Sequence, residues 1–215
     1  MTDLRATFLA TGRVAVDLVT RPEVAAGWDG PSALERLSVR GLAGHLARAV
    51  GQVEAYLDQD EPPVDGLVDP AHYYLAALGA GTVVDLDSDL HTSVRQRGED
   101  TAAAGHGALV ADMEALVGRL AGRLGTEPHT RRVAVLHGLA LTLDDYLVTR
   151  IVELVVHSDD LAVSAGVPTP ALPAEATAVA ISALLSLARL RHGDLVVLQA
   201  LARRERAPVG VLNAF

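Results

Sequence analysis

Thr149-Arg150-Ile151-Val152-Glu153-Leu154-Val155-Val156-His157-Ser158-Asp159-Asp160-Leu161 decides the reading of this chain. At about 100° per residue, with Arg150 at zero, Tyr146, Glu153, His157 and Asp160 fall between roughly 280° and 340°. Leu147, Ile151, Leu154, Val155 and Leu161 point in other directions. One narrow face is polar and most of the remainder is aliphatic, so the segment reads as a helix embedded in a core. Its limits lie in the flanks: Thr142 to Asp145 fits a capping box, and Gly166 with Pro168 beyond it marks the end.

Glu153 and His157 point the same way one turn apart, so a carboxylate oxygen and an imidazole nitrogen can reach one ion from a rigid support. Two ligands do not complete a site, and a third has to come from another helix. The best candidate is His45 in Ser38-Val39-Arg40-Gly41-Leu42-Ala43-Gly44-His45-Leu46-Ala47-Arg48-Ala49. The face of His45 holds Gly41, Arg48, Ala49 and Gln52 beside an apolar strip with Leu42 and Leu46. Small residues there allow close approach of a helix or a ligand. Plainer readings use the same residues. Glu153, His157 and Asp160 would serve as the solvated side of a buried helix, and His45 as a helix histidine bonded to a carbonyl or water. Arg150 suits an anionic ligand, or an ion pair with Asp145 or Glu153. Asp160 suits a carboxylate that orients the His157 ring, or a surface charge.

Taken in order, these blocks resemble the mycothiol-dependent maleylpyruvate isomerase family, within the larger DinB-like group of metal-binding helical bundles. Trp28 with Pro31-Ser32, followed by Leu42-Ala43-Gly44-His45-Leu46, is similar to the family's tryptophan segment and first metal histidine. Arg150, Glu153, His157, Asp160 and Leu161 are similar in type and spacing to its second motif. The similarity runs from about residue 5 to about residue 205, and those two blocks are its specific parts. The resemblance implies that His45, Glu153 and His157 ligate a divalent metal. It places Arg150 and Asp160 in supporting catalytic positions, with Arg150 also beside the cofactor.

Two His and one Glu make an open zinc-type site, so Zn²⁺ is the first expectation, and Ni²⁺, Mn²⁺ or Fe²⁺ suit the same groups. The resemblance adds mycothiol as thiol cofactor, and a divalent-metal-dependent thiol transferase or isomerase acting on a small electrophile. The isomerase itself has an additional C-terminal domain that helps to form its substrate site. This chain is expected to be too short for a full version, so the resemblance does not carry over maleylpyruvate itself as substrate. Two other functions fit the same residues. One is a metal- or ligand-binding bundle without turnover, and the other a metal-dependent hydrolase with Asp160 or Glu54 as base.

Composition narrows the field. The 215 residues are 50% hydrophobic and only 3% aromatic, which favours helices packed through Leu, Val and Ala over a sheet sandwich. A net charge of −9 argues against nucleic acid, since phosphate neutralisation needs a basic surface. All 18 basic residues are Arg, which excludes lysine Schiff-base chemistry. With heavy Ala, Gly and Val usage, it also fits a GC-rich, actinobacterial-type genome, the setting in which mycothiol occurs. With no Cys, disulfides, thiolate ligands and an internal sulfur nucleophile are excluded, so thiol chemistry needs an imported thiol. The N-terminus lacks the basic and apolar segments of a signal peptide, and no apolar run reaches about 18 residues. The expectation is a cytoplasmic monomer or homodimer whose partners are a small electrophile and a low-molecular-weight thiol, with neither nucleic acid nor membrane.

The expected architecture is all-α. A DinB-like four-helix bundle spans about residues 1–166 and a C-terminal helical extension about 173–206, in a single domain. Helices are expected over Leu4 to Val19, Ser38 to Leu57, Ser88 to Leu124 with a bend near Gly105 and Gly107, and Thr142 to Gly166. Two more run from Pro173 to His192, whose basic end suits the helix dipole, and from Leu195 to Arg204. The stretch after Pro22, with Trp28 and Pro31, reads as a loop. Pro70 to Tyr74 opens a short helix that Gly79-Ala80-Gly81 breaks, and Arg132 to Leu141 reads as a short extended piece. Asp85, Asp87 and Asp89 imitate a calcium loop, but Leu90 and Gln96 stand where it needs Gly and Glu, which excludes it. His72, His91, His106, His129, His137 and His192 read as surface or loop histidines.

Overall fold

The computed structural model describes residues 3–63, 65–79, 88–135, 138–206 and 209–213. The expectations at Ala80, Gly81, Asp85, Asp87 and His137 lie outside them. The elements follow as α1 (Leu4–Val19), α2 (Pro22–Ala26), α3 (Val39–Leu57), α4 (Pro70–Leu78), α5 (Asp89–Thr101) and α6 (His106–Leu124). Then come β1 (Arg132–Ala134), β2 (Ala140–Thr142), α7 (Leu143–Ala165), α8 (Ala174–His192) and α9 (Asp194–Ala202).

Local chemistry sets the helix ends. Asp3 accepts from the Arg5 and Ala6 N–H groups at α1, Ser38 from Gly41 N–H at α3, and Asp69 from His72 N–H at α4. Each satisfies a donor that the first turn leaves unpaired and contributes about 1 kcal/mol. At α7 the Asp145 N–H donates to Thr142 Oγ1 at 3.1 Å, and the Thr142 hydroxyl donates to Asp145 Oδ2 at 2.7 Å. The α7 helix closes on Gly166.

Helix α1 packs on α6 and α7, and α3 packs on the same two, which closes a ring of four in the order α1, α6, α3, α7. Phe8, Leu18, Leu42, Leu46, Met113, Leu120, Leu147 and Ile151 fill its centre, fully buried. The two helices carrying the sequence motifs therefore stand side by side although far apart in the chain. Around the ring, α5 lies along α3, α8 packs on α7 and α1, and α4 bridges α7 and α8. Ala188, Val197 and Val211 hold α9 to the end of α8 in a small separate cluster.

The approach of α5 to α3 is close enough to exclude side chains. A Cβ on Gly44 would lie 2.0 Å from the Gly98 carbonyl oxygen, and one on Gly98 would lie 2.4 Å from that of Gly41. The small residues beside His45 thus admit a partner helix. Glu99 joins the same contact, accepting from the Ser38 hydroxyl and, at 2.5 Å, from Arg40 Nε.

Three features differ from expectation. The long helix expected over Ser88 to Leu124 is two helices: α5 stops at Thr101, and Gly105, at φ 95°, starts α6 in a new direction. Few residues other than glycine accept that angle. The loop after Pro22 contains the short helix α2, with Pro22 in its first turn. The extended piece is an antiparallel hairpin pairing Arg132 with Thr142, Val133 with Leu141 and Ala134 with Ala140. It delivers the chain into α7, where Leu143 N–H donates to the Arg131 carbonyl at 2.7 Å.

Candidate metal centre

Helices α3 and α7 bring His45, Glu153 and His157 onto one seam. His45 Nε2 lies 2.9 Å from Glu153 Oε2, and His157 Nε2 lies 3.4 Å from the same oxygen. The imidazoles meet edge to face with centroids 4.7 Å apart. One donor atom from each residue lies within 4.8 Å of the other two. Bonds of about 2.0–2.1 Å at tetrahedral angles put neighbouring donors about 3.3 Å apart, so the pairs through Glu153 stand near the spacing that one ion requires. Two imidazoles and a carboxylate fit a divalent ion with an open position.

The groups behind the donors are arranged as metal ligands need. His157 Nδ1 is 2.8 Å from Asp160 Oδ2, which turns Nε2 toward Glu153 and fixes the ring. The Tyr74 hydroxyl, fully buried on α4, lies 3.1 Å from Glu153 Oε1 and 2.9 Å from the Thr149 carbonyl, and shares its one proton between them. That leaves Oε2 as the Glu153 oxygen facing both histidines.

Burial opposes charge along this seam, and hydrogen bonds decide which groups remain ionised. Burial pushes the His45 ring down against the opposing bond to Glu153, so it is neutral at pH 7. Burial would raise Glu153, but its bonds with His157 and His45 and the charge of Arg150 hold it well below the usual carboxylate range. Burial would lower His157, yet its bonds to Asp160 and Glu153 push it up to about 9.

Arg150 sits one turn before Glu153 and is 6% exposed. Its Nε donates to Thr149 Oγ1 at 3.1 Å, its Nη1 donates to Gln52 Oε1 at 3.2 Å, and its Cζ stands 5.0 Å from the Tyr146 ring centroid. Among the described residues it forms no ion pair with Asp145 or Glu153, the pairings that the sequence had left open. Glu54, one candidate base, is held by Arg119 through bonds of 2.9 and 2.8 Å on the α6 side of α3.

The family comparison bears on this same seam. The model for the mycothiol maleylpyruvate isomerase N-terminal domain matches residues 9–162. This chain belongs to that family. The matched segment contains the whole His45, Glu153 and His157 cluster as well as Arg150 and Asp160, and α8 and α9 lie beyond it. No curated protein and no solved structure gives a significant match to this family member.

Sequence reasoning missed Tyr74 and Tyr73 at the family member's site and the placement of His106 away from it. Tyr74 and Tyr73 arrive from α4, where the only signal was the start of a short helix, and the charge of Arg150 reaches both phenols. His106, expected at the surface, is partly buried: its Nε2 donates to the Val19 carbonyl at 2.7 Å, and its ring stands edge to face with Trp28 at 5.2 Å. That contact anchors the tryptophan segment to the start of α6.

Proposed function

We propose that the protein is a divalent-metal-dependent thiol transferase or isomerase that uses mycothiol on a small electrophile. The observation that carries this reading is that two imidazoles and one carboxylate offer donor atoms within 4.8 Å of one another, with Asp160 set behind His157. Membership of a family whose description names mycothiol supports the thiol, and so does the lack of any cysteine in the chain. When bound, a divalent ion supplies Lewis acidity that favours the thiolate form of a thiol at neutral pH. The residues supply the rest. Glu153 brings the negative charge, His45 is already neutral and ready to ligate, Asp160 and Tyr74 hold their partners in position, and Arg150 places a fixed positive charge one turn away. A thiol held there would supply the nucleophile for an electrophilic carbon, with His45, Glu153 and His157 as the residues that would hold the ion and Arg150 as the nearby fixed charge. Hydrolysis is less well served, because Glu54 is committed to Arg119 and Asp160 to His157.

Elemental analysis of untagged protein tests the reading. Wild type is expected to hold about one divalent ion per chain, and His45→Ala, Glu153→Ala and His157→Ala are expected to fold and to lose it. Wild type that stays metal-free after incubation with Zn²⁺, Ni²⁺, Mn²⁺ and Fe²⁺ overturns it. Loaded protein whose turnover of an electrophile panel ignores added thiol overturns the thiol half alone.

A further inference from the structure

Helix α9 is apolar on almost every side and covered on only one. Of its nine residues only Asp194 and Gln199 are polar. Val197 is buried with Ala188 of α8 and Val211, and Val196 and Ala200 lie half-buried against the same cluster. On the opposite face, at i, i+3 and i+6, Leu195, Leu198 and Leu201 stand 64%, 59% and 59% exposed. A helix that is apolar all round belongs in an interior, so the outer face of α9 calls for a cover. The apolar surface continues onto its neighbours. Leu212 is 46% exposed beside Val211, and Ile181, 61% exposed, lies one turn before Leu185, which packs against the α9 cluster. Although 21% of the chain is charged, no charged residue stands between Glu175 and Arg189 or between Asp194 and Arg203.

We propose that the outer face of α9, with Ile181 and Leu212, is the contact through which two copies of this chain pair about a twofold axis. A twofold contact sets a surface against itself. A patch free of charge meets that condition, because no like charges are brought together in its centre. At its border Arg189 and Asp194 supply both signs, paired at 2.7 Å on an exposed corner, so each sign can face its opposite across the axis. The five exposed side chains present on the order of 500 Å² of apolar surface, near the top of the roughly 300–600 Å² found as the largest patch on a monomer. With Ala178, Ser182 and Ala202 exposed around them, the face approaches the roughly 800 Å² per partner that a stable pair needs. The contact lies wholly beyond residues 9–162, the segment that the family model matches, and it does not rest on the metal centre.

Analytical ultracentrifugation of the untagged, metal-free chain across a wide range of concentration and salt tests the pairing. A species of twice the 22.5 kDa chain is expected. It is expected to tighten as salt rises, because salt screens the repulsion between two bodies of net charge −9. Leu198→Glu, and separately Leu195→Glu with Leu201→Glu, are expected to weaken pairing by roughly tenfold or more. These side chains are already exposed in the single chain, so both variants are expected to remain folded by circular dichroism. Val163→Glu, at an equally exposed apolar position on α7, is expected to leave pairing unchanged. The chain has no Cys, so Leu198→Cys reports the contact directly: mild oxidation is expected to link two copies, and not to link Val163→Cys. A single chain at every concentration overturns the proposal, as does a pair that survives both sets of Glu substitutions. A monomer that floats with neutral phosphatidylcholine vesicles and loses them on Leu198→Glu assigns the face to a membrane and overturns it too. No readout here depends on metal or thiol, so failure of the pairing and failure of the proposed function are separate results.

Discussion

Asp160 and Tyr74 each hold one donor of the triad from behind, so the protonation of the seam is set before any ion arrives. At pH 7 Glu153 is ionised, His45 is neutral, and His157, pushed up to about 9, holds a proton on both ring nitrogens. A ligand nitrogen must be free of its proton, so loading at pH 7 has to expel one from His157. Zn²⁺ binding is therefore expected to release about one proton per ion, and its affinity to rise about tenfold per pH unit from pH 6 to 8, levelling off above 9. Calorimetry in buffers of different ionisation enthalpy reads that proton directly, and an enthalpy independent of buffer would refute the charge assignment. At this scale helical spacing alone puts Glu153, His157 and Asp160 on a shared face, whereas His45, on another helix, was joined to them by the family resemblance. Tyr74 was legible from neither, because it reaches Glu153 across 79 positions of chain through a contact that α4 makes only after packing.

The α3 and α5 crossing shows how an element sets the site. A methyl group on Gly98 would meet the Gly41 carbonyl at 2.4 Å and the His45 backbone nitrogen at 3.5 Å, so the backbone of α3 would have to yield at the turn that carries the first histidine. Overpacking of this kind costs about 1–3 kcal/mol, offset by about 1 kcal/mol of improved helix propensity. Gly98→Ala is expected to lower stability by up to about 2 kcal/mol in urea unfolding and to weaken metal binding as well. Gly118→Ala on α6, where a Cβ meets nothing within 4 Å, is expected to be neutral or stabilising, and equal behaviour of the two variants would count against the crossing. The sequence revealed the small face of α3 but not its partner. Thr101-Ala102-Ala103-Ala104 is good helix-forming sequence, so the break between α5 and α6 is hidden there; it comes from the docking of α5 on α3 and from the angle at Gly105.

At the scale of the whole molecule, one side chain joins three helix ends. Arg5, near the start of α1, donates to the Leu124 and Glu127 carbonyls at 2.7 and 2.6 Å, to Pro128 at 3.1 Å and to Asp144 at 3.0 Å. It satisfies carbonyls at the end of α6 and clamps the first turn of α7, and no periodic pattern in the sequence announces it. Arg5→Ala is expected to cost about 2–3 kcal/mol, a fall of roughly 5–10 °C in Tm for a chain of this size. An unchanged melting curve would show that the bonds add nothing. That the chain is an all-α bundle was legible from its helical patterns and the four-helix form from the family resemblance, whereas the cyclic order, with α3 beside α7, was not. That order has a consequence in time. His45 and Glu153 lie 108 residues apart, and closing such a long loop comes late in folding. A chain emerging from the ribosome exposes the histidine well before its counterparts exist, and half a site has little hold on an ion. An ion that binds this cluster would therefore be taken up by the finished protein from whatever its surroundings supply, and expression in media of different metal content is expected to change which ion is found.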